Sequence, residues 1–235
     1  RTHSYGIPGV SEHALGFRSL ADVERLQEVV QRLRLRLRPL QRLAVVGAGA
    51  SGVELACKLA DLLEGAAVLE LIEQGPELLP GSKAFNREQA HLALQQRDIR
   101  LRTHTRVAAV LADGLELQRG AGDAAPAAAL ERLSCDAVVW TGGVLPCVPA
   151  LEPPIPLDRR GRLPCAADLQ VIGAERLFAL GDAAACPLGG DASHPATAQV
   201  AYQQASCVAA NLQHQRRGEP LDAFAWNDLG EMLGL

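Results

Sequence analysis

Apolar residues recur at helical spacing from Leu20 to Leu33, directly after the sequence Ser19-Leu-Ala-Asp22. A serine followed three residues later by an acidic residue is typical of a capped helix N-terminus. Pro39 cannot continue a helix, because its ring fixes φ and removes the backbone N–H. We therefore predict a helix that begins near Ser19 and ends by Pro39.

The next apolar segments are short and uninterrupted, as in strands that are buried on both faces of a parallel sheet. Two of them, residues 43–46 and 67–72, flank a helical pattern over residues 52–63. Strand, turn, helix and strand within about 30 residues is the size of a βαβ unit. We predict an α/β fold, with further helices at 85–97 and 197–213, strands at 99–101, 137–140 and 177–180, a hairpin over 107–117, a loop of small residues at 120–129 and a proline-rich crossing between domains at 146–164.

The turn of the βαβ unit is a complete G-x-G-x-x-G motif, and it predicts a dinucleotide-binding loop. Gly47 permits the tight turn, Gly49 lets the backbone approach a pyrophosphate, and Gly52 brings the helix against the strand. The helix N-terminus then faces the phosphates. The residues predicted to contact the cofactor are Gly47, Ala48, Gly49, Ala50, Ser51 and Gly52, together with Gly142 and Gly143 in the loop after strand 137–140.

Glu73 ends the second strand of the unit, about 20 residues after the last glycine, where a carboxylate accepts hydrogen bonds from ribose hydroxyls. A carboxylate repels a 2′-phosphate, and residues 74–80 contain no Arg or Lys. We therefore expect NADH to be preferred, with NADPH left open. The alternative is a glycine-rich turn that binds no nucleotide.

Composition and charge narrow the class of partner. The net charge is -4 over 235 residues, which argues against nucleic acid because phosphate binding needs a basic surface. One basic cluster, interpreted as a solvated helix end rather than an anion site, consists of Arg32, Arg34, Arg36, Arg38 and Arg42. No apolar run reaches the roughly 20 residues of a membrane span.

The six cysteines are scattered, with no C-x-x-C pair and no histidine at metal-ligand spacing. We therefore predict no metal site and expect reduced thiols in a cytoplasmic setting. The histidines at positions 91, 104, 194 and 214 are interpreted as packing or surface residues.

Further motifs resemble those of a known flavoprotein family. Leu177-Phe-Ala-Leu-Gly-Asp182 is similar to the second flavin-contact motif of the flavoproteins with two dinucleotide-binding domains. Segments 7–10, 16–22, 196–204 and 229–233 together resemble the type II NAD(P)H:quinone oxidoreductases. Within that family, segments 51–56, 84–90 and 138–141 are most similar to the cyanobacterial and plastid branch, which includes demethylphylloquinone reductase.

The resemblance implies a glutathione-reductase-like architecture with FAD and NADH as cofactors. It implies a remnant of an FAD-binding domain at 1–18, a Rossmann-like NAD(P)H-binding domain at 19–145 and the C-terminal part of the FAD-binding domain at 146–235. It also implies hydride transfer to the flavin and two-electron reduction of a quinone. The residues that it places at the flavin are Gly181, Asp182 and Ala198, with Glu54, Gln199 and Gln203 as catalytic candidates.

The chain also departs from the family's pattern. No G-x-G-x-x-G precedes Gly47, and the C-terminal region by which the family attaches to membranes is not present. We interpret the chain as a fragment that holds little FAD when it is made alone. Peripheral attachment to the inner face of a membrane is expected only for the full-length protein, and a homodimer is left open.

Three alternatives remain open at this point. A flavin-dependent disulfide reductase shares the architecture but needs a redox-active cysteine pair, and a ferredoxin-type reductase shares it as well. A nucleotide-binding module without chemistry is the third. For Glu54, a charge placed in the first helical turn by the helix dipole is as good an interpretation as a catalytic role. For Gln199 and Gln203, the alternative is a helix that packs small residues beneath the flavin.

Overall fold

The computed structural model describes residues 2–35, 37, 39–120, 130–189 and 192–235, so Arg36, Arg38 and most of the small-residue loop at 120–129 lie outside the described residues. The chain divides into two compact units. The larger contains Thr2–Val144 and Glu231–Leu235, and the smaller contains Leu145–Gly230. These boundaries place residues 2–18 and 231–235 in the larger unit, whereas the sequence suggested that both belong to a flavin domain.

The larger unit follows the predicted order of elements. They are α1 Val10–His13, α2 Leu20–Arg34, β1 Arg42–Val46, α3 Ala50–Leu63, β2 Val68–Ile72, α4 Ala84–Gln96, β3 Arg100–Arg102, β4 Thr105–Leu111, β5 Gly114–Arg119, β6 Leu130–Ser134 and β7 Ala137–Trp140. Helix α2 begins as predicted, because Ser19 and Asp22 form a reciprocal capping box, and it ends at Arg34, before Pro39. The α/β fold with a parallel sheet is confirmed.

The parallel sheet has the order β3-β2-β1-β7. Side chains of β1 alternate between two apolar cores: Leu43 and Val45 pack with α2, α3 and α4, and Ala44 and Val46 face the other side. Because successive side chains of a strand point to opposite faces, burial on both faces explains why the strand is apolar throughout. In a parallel sheet the carboxyl ends of the strands share one edge, so Gly47, Glu73 and Gly142 are brought together there.

Strands β4, β5 and β6 form a separate antiparallel sheet. The predicted hairpin is confirmed as β4 and β5, joined by Ala112 and Asp113. Strand β6 was not predicted, because its sequence Leu-Glu-Arg-Leu-Ser alternates weakly and follows the small-residue loop. It pairs with β5 from Gln118↔Leu130 to Gly114↔Ser134.

Glu70 is a buried charge in the middle of β2, with a side chain that is 0% exposed. Its carboxylate lies 3.2 Å from Arg42 Nε and 2.7 Å from Arg102 Nε. Arg102 also bonds to Glu131 on β6 at 2.8 Å, so the network joins the two sheets. The hydrogen bond to Glu70 raises the pKa of Arg102, and the bond from Arg102 lowers the pKa of Glu131. Periodicity gives no signal for such a network.

The described arginines of the basic cluster form contacts within the larger unit. Arg42 pairs with Glu70, Arg34 lies 3.4 Å from Glu64, and Arg32 donates to the carbonyl of Asp136. Of the described members, Arg32 and Arg34 lie in the last turn of α2, as the interpretation of a helix end requires, whereas Arg42 lies on β1.

The smaller unit is built around one long helix. Its elements are β8 Leu163–Pro164, a 3-10 turn Gly181–Ala183, β9 Ala184–Ala185, β10 Pro187–Gly189, β11 Ala192–Ser193 and α5 Ala198–Arg217. Thr197 caps α5, and the helix continues past the predicted end to Gly218, whose φ of 67° terminates it. The buried Asn211 joins α5 to the following segment, because its side chain donates to the Asp222 carbonyl and accepts from the Asp222 N–H.

The prediction of a strand at 177–180 is wrong. Only Phe178 forms a β-bridge there, opposite Gln170. The pairing stops at this single bridge, which is flanked by the bonds from Val171 N–H to the Leu177 carbonyl and from Ala179 N–H to the Leu169 carbonyl. The residues between them close a tight turn, in which Ala174 N–H donates to the Val171 carbonyl and Leu177 N–H donates to the Ala174 carbonyl. The Gly181-Asp182 pair that follows forms the 3-10 turn.

Candidate functional site

Two glycines of the G-x-G-x-x-G motif have no room for a side chain. Gly47 has φ 102°, and a Cβ there would lie 2.9 Å from the Cα of Gly142. A Cβ on Gly52 would lie 1.8 Å from the Gly47 carbonyl oxygen and 2.8 Å from Thr141 Oγ1. The tight turn and the close approach of α3 to β1 thus depend on these two residues.

The middle glycine is different. A Cβ on Gly49 would meet no atom within 4 Å, and its φ of -71° suits any residue. Gly49 is the N-cap of α3, no side chain among the described residues caps this helix, and Ala50 and Ser51 are exposed in its first turn. Open space before an uncapped helix N-terminus fits an anionic group, since backbone N–H groups and the helix dipole point into it.

Glu73 is connected to the glycine loop by its own side chain. Its Oε2 accepts a hydrogen bond from Ala48 N–H and its Oε1 accepts one from Gly75 N–H, both at 2.8 Å. These bonds hold the carboxylate at the edge of the sheet. Each carboxylate oxygen has two lone pairs, so both oxygens can accept further bonds.

A cavity of about 200 Å³ lies at this edge. Gly47, Glu73 and Gly142 line it together, as their positions at the strand ends require. The remaining lining residues are Tyr5, Ile7, Val46, Ile72, Gln74, Thr105, Arg106, Val107 and Trp140. Sequence reasoning missed Tyr5, Arg106 and Trp140 as wall residues, because they come from segments far from the glycine loop in the chain.

Gly143 does not line the cavity but supports its wall. A Cβ on Gly143 would lie 2.4 Å from the hydroxyl oxygen of Tyr5, which itself has φ 52°. The indole Nε1 of Trp140 donates to the His3 carbonyl at 2.9 Å. The segment before α1 is therefore held against β7 and the loop that follows it.

Glu54 lies on α3, and its side chain contacts the C-terminal segment. Its Oε1 accepts from Gly234 N–H at 2.7 Å. The same C-terminal segment is held by Glu231, which accepts from Ser82 Oγ at 2.6 Å and Asn86 Nδ2 at 2.7 Å. The catalytic role suggested for Glu54 stays a prediction.

In the smaller unit, Gly181 and Asp182 are positioned by α5. Gly181 N–H donates to the side-chain oxygen of Gln204 at 2.7 Å, and Gln204 is only 2% exposed. A Cβ on Gly181 would lie 3.3 Å from the Cβ of Ala201. Gln204 was not among the predicted site residues. Its position next to Gln203 in the sequence could have drawn attention to it.

Gln199 and Gln203 share one face of α5, one turn apart, as predicted. Both side chains bond to the segment 226–230. Gln203 donates to the Asn227 carbonyl at 2.8 Å and accepts from the Asn227 N–H at 3.0 Å. Gln199 accepts from Trp226 Nε1 at 3.1 Å and from Leu229 N–H at 3.2 Å. Ala198 is the first residue of the helix.

Three of the six cysteines are buried thiols with strongly raised pKa values. All six thiols are free. Burial raises the pKa of Cys135 to about 12 and the pKa values of Cys165 and Cys186 to about 11. A thiol must ionise before it attacks, so these side chains are unreactive near neutral pH.

Other classes of site find no support in the part of the chain that the structure describes. No group of three or more His, Cys, Asp or Glu side chains there could hold a metal ion. No helix in the described ranges is long and apolar enough to span a bilayer. His194 is buried beside Phe224 and Trp226, and burial lowers its pKa, which agrees with a packing role.

Comparison with known proteins decides the family. The sequence profile described as pyridine nucleotide-disulphide oxidoreductase matches residues 1–205. The chain belongs to this family. Within the family, the chain is 39% identical to demethylphylloquinone reductase NdbB of Synechocystis sp., over 97% of the chain and 55% of that protein. It is 31% identical to the alternative NAD(P)H-ubiquinone oxidoreductase C1 of Arabidopsis thaliana, over 97% of the chain and 46% of that protein.

Solved structures agree on the fold of this family. The structure of NDH2 from Plasmodium falciparum in complex with NADH matches with a TM-score of 0.68 at 20% identity, over 79% of this chain and 42% of that one. The chain spans about half the length of the curated relatives it matches. The predicted membership of the oxidoreductase family and the predicted resemblance to its quinone-reducing branch are both confirmed.

Proposed function

We propose that the chain binds NAD(P)H at the edge of its parallel sheet and serves an FAD-dependent NAD(P)H:quinone oxidoreductase, with demethylphylloquinone as a candidate quinone. The observation that carries the proposal is the bond between Glu73 and Ala48 N–H, which places an acid beside an open glycine loop. The names of the two curated relatives support the quinone as electron acceptor. The domain assignment, with nucleotide bound by 19–145 and flavin by 1–18 and 146–235, is part of this proposal.

The residues present fit a dinucleotide. Gly49 leaves space for a pyrophosphate at the N-terminus of α3, and Glu73 has lone pairs for ribose hydroxyls. Ile7, Val107 and Trp140 supply apolar walls to the cavity. When bound, the nicotinamide and the flavin supply the hydride and electron chemistry. The protein's own residues bind and orient them.

For the flavin, the described residues supply part of a site. The bond from Gly181 N–H to Gln204 fixes the turn that carries Asp182, so the aspartate is presented at a defined place before α5. Asp182 then holds a ribityl chain in the proposal. Glu54 stays a candidate for orienting the nicotinamide.

The proposed location of the protein follows from its proposed electron acceptor, a quinone. A membrane quinone requires that the full-length protein reach a bilayer, so peripheral attachment at the inner face is part of the proposal, as is a homodimer. They are tested by sedimentation with vesicles and by light scattering of a version with the length of the curated relatives.

The first test separates nucleotide binding from electron transfer. The 235-residue chain is expected to bind NADH with a Kd between about 10 μM and 1 mM by calorimetry, in the range of enzyme affinities for substrates. A version with the length of the curated relatives is expected to carry FAD and to reduce a short-chain quinone with NADH. If the longer version binds NADH but carries no flavin and reduces no quinone, a non-catalytic module is favoured. If NADH does not bind at all, the proposal is contradicted.

A second prediction concerns Gln203, which with Gln199 we propose to lie on the quinone side of the flavin. In the flavin-loaded protein, Gln203→Leu is expected to lower kcat/KM for quinone about tenfold, because the side chain loses its amide and both bonds to Asn227. Reduction of the flavin by NADH, followed by stopped flow, should stay near wild type. Gln213→Leu, the same change on the exposed side of α5, is the matched control.

Two results would remove Gln203 from the quinone side. Equal losses in both half-reactions would show that α5 supports the flavin as a whole. Wild-type kinetics in both would show that the amide only links α5 to the segment after it.

A further inference from the structure

Helix α4 begins without a cap of its own. Its N-cap is Lys83, whose side chain has no acceptor oxygen, and its first turn contains no acidic residue. The first backbone N–H groups of a helix have no partner within the helix, and a negative charge near them is favourable. A partner for this helix end therefore has to come from another part of the chain or from solvent.

Glu231 supplies such a partner from the segment 231–235. Its carboxylate accepts from Ser82 Oγ at 2.6 Å and from Asn86 Nδ2 at 2.7 Å, and these residues lie 149 and 145 positions earlier in the chain. The hydrogen bonds from Ser82 and Asn86, with a smaller contribution from Lys83 N–H, lower the pKa of Glu231. The carboxylate is therefore ionised at neutral pH and caps α4 from a distant segment.

The rest of the segment 231–235 is held on the same unit. Leu233 packs against the apolar core to which α3 and α4 contribute. Gly234 N–H donates to Glu54 Oε1 on α3 at 2.7 Å. The segment thus has two polar anchors with an apolar one between them, and we call residues 231–235 the C-terminal strap.

The loop between β2 and α4 connects the strap to the glycine loop through backbone hydrogen bonds. Ser82 N–H donates to the Leu79 carbonyl at 3.0 Å, and Leu79 N–H donates to the Ala48 carbonyl at 2.7 Å. Ala48 is also the residue whose N–H is bonded to Glu73. A continuous series of bonds therefore leads from the strap through the β2–α4 loop to the glycine loop.

Leu79 makes this loop dependent on contacts from outside it. It has φ 50°, a left-handed conformation that costs a leucine free energy, and it is only 1% exposed. Such a conformation persists only where surrounding contacts hold it. Ser82 closes the turn that begins at Leu79, and Ser82 is the residue bonded to the strap. Release of Ser82 is therefore expected to loosen the loop where it contacts Ala48.

We propose that the C-terminal strap holds the β2–α4 loop against the glycine loop, and that Glu231 is a positioning residue for the dinucleotide. Its part in binding is to fix the shape of the loop that the pyrophosphate meets, and it acts through Ser82 and Leu79. The inference rests on the proposed nucleotide site. It extends that site to a segment that contains no nucleotide-binding motif.

The test compares NADH binding by calorimetry in the 235-residue chain and in Glu231→Ala. The Kd for NADH is expected to rise about 3- to 10-fold, the factor that corresponds to the net loss of a hydrogen bond. Glu231→Gln keeps an oxygen that can accept from Ser82 Oγ, so its Kd should lie between those of wild type and Glu231→Ala. The double variant Ser82→Ala/Glu231→Ala should bind NADH no more weakly than Glu231→Ala alone, because both changes break the same contact.

Hydrogen exchange of the nucleotide-free chain measures the loop directly. In Glu231→Ala the backbone amides of residues 79–83 should exchange at least about threefold faster than in wild type. The amides of β1 and β7 should keep their wild-type rates. A general loss of stability would instead accelerate exchange in the parallel sheet as well.

Glu88→Ala is the matched control, because it removes the same charge from an exposed position on α4. It should leave the Kd for NADH within about twofold of wild type. An equal rise in Kd for Glu88→Ala and Glu231→Ala would assign the effect to charge alone and would overturn the inference.

The outcomes separate this inference from the proposed function. If wild type binds NADH and Glu231→Ala binds it equally well, the inference is overturned while the proposed function stands. Faster exchange throughout the sheet in Glu231→Ala would also overturn it, because Glu231 would then stabilise the unit as a whole. If wild type does not bind NADH, the proposed function fails and the inference fails with it.

Discussion

Replacing Glu70 with alanine is expected to destabilise the larger unit by about 3–5 kcal/mol, the cost of breaking a buried ion pair by removing one partner. The carboxylate is fully buried and lies between Arg42 and Arg102, which are themselves half-buried. Without it two guanidinium groups remain in a poorly solvated place. The bond from Arg102 to Glu131 joins the parallel sheet to the antiparallel one, so the loss should spread to both.

The measurement is urea unfolding followed by tryptophan fluorescence. The chain has two tryptophans, Trp140 in the larger unit and Trp226 in the smaller. A Trp226→Phe background therefore reports on the larger unit alone. The control is Asp113→Asn, which breaks an exposed pair with Arg132 and should cost less than about 1 kcal/mol. If the two substitutions lower the free energy of unfolding equally, the buried network contributes no more to stability than an exposed ion pair does.

Gly52→Ala is expected to abolish dinucleotide binding and to destabilise the larger unit by about 3 kcal/mol, the upper range for overpacking. Its Cβ would lie 1.8 Å from the Gly47 carbonyl oxygen, and backbone on that side cannot rotate away as a side chain would. Helix α3 must then move from β1, which displaces the helix N-terminus from the glycine loop.

Gly49→Ala is the matched substitution, because it adds the same methyl group in the same loop. Nothing lies within 4 Å of its Cβ, so stability should change by less than about 0.5 kcal/mol. The methyl group would stand in the space assigned to the pyrophosphate, and the Kd for NADH should rise at least about tenfold. Calorimetry and thermal unfolding of both variants measure these effects. Unchanged NADH binding in Gly49→Ala would mean that the nucleotide does not pass over this loop.

Helices and strands that have a clear local sequence pattern could be predicted. Strand β7 lies where its apolar run predicted, and α2 begins at its capping box. The error at 177–180 arose because an apolar run alone does not distinguish a strand from a tight turn. That distinction depends on what the backbone N–H groups can reach, here the carbonyls of Val171 and Ala174 within the same turn.

The residues of the candidate site likewise include some that could be predicted from the sequence and some that could not. The glycine loop and Glu73 could be predicted, because a dinucleotide turn imposes residue types at short, fixed spacing. Tyr5, Arg106 and Trp140 could not, since they reach the cavity only through the pairing of distant strands. The bonds of Gln199 and Gln203 to segment 226–230 were equally invisible, as an exposed glutamine on a helix gives no indication of its partner.

The sequence by itself determined the α/β order, the edge of the sheet where a nucleotide can bind and the family to which the chain belongs, because these depend on local periodicity and short motifs. The tertiary structure alone decided what surrounds that edge: a buried glutamate that joins two sheets, and the packing of the N-terminal segment against Trp140 in the cavity wall. Both are contacts between residues about 30 or more positions apart. Such contacts are selected by packing and charge in three dimensions, and they leave no repeating pattern along the chain.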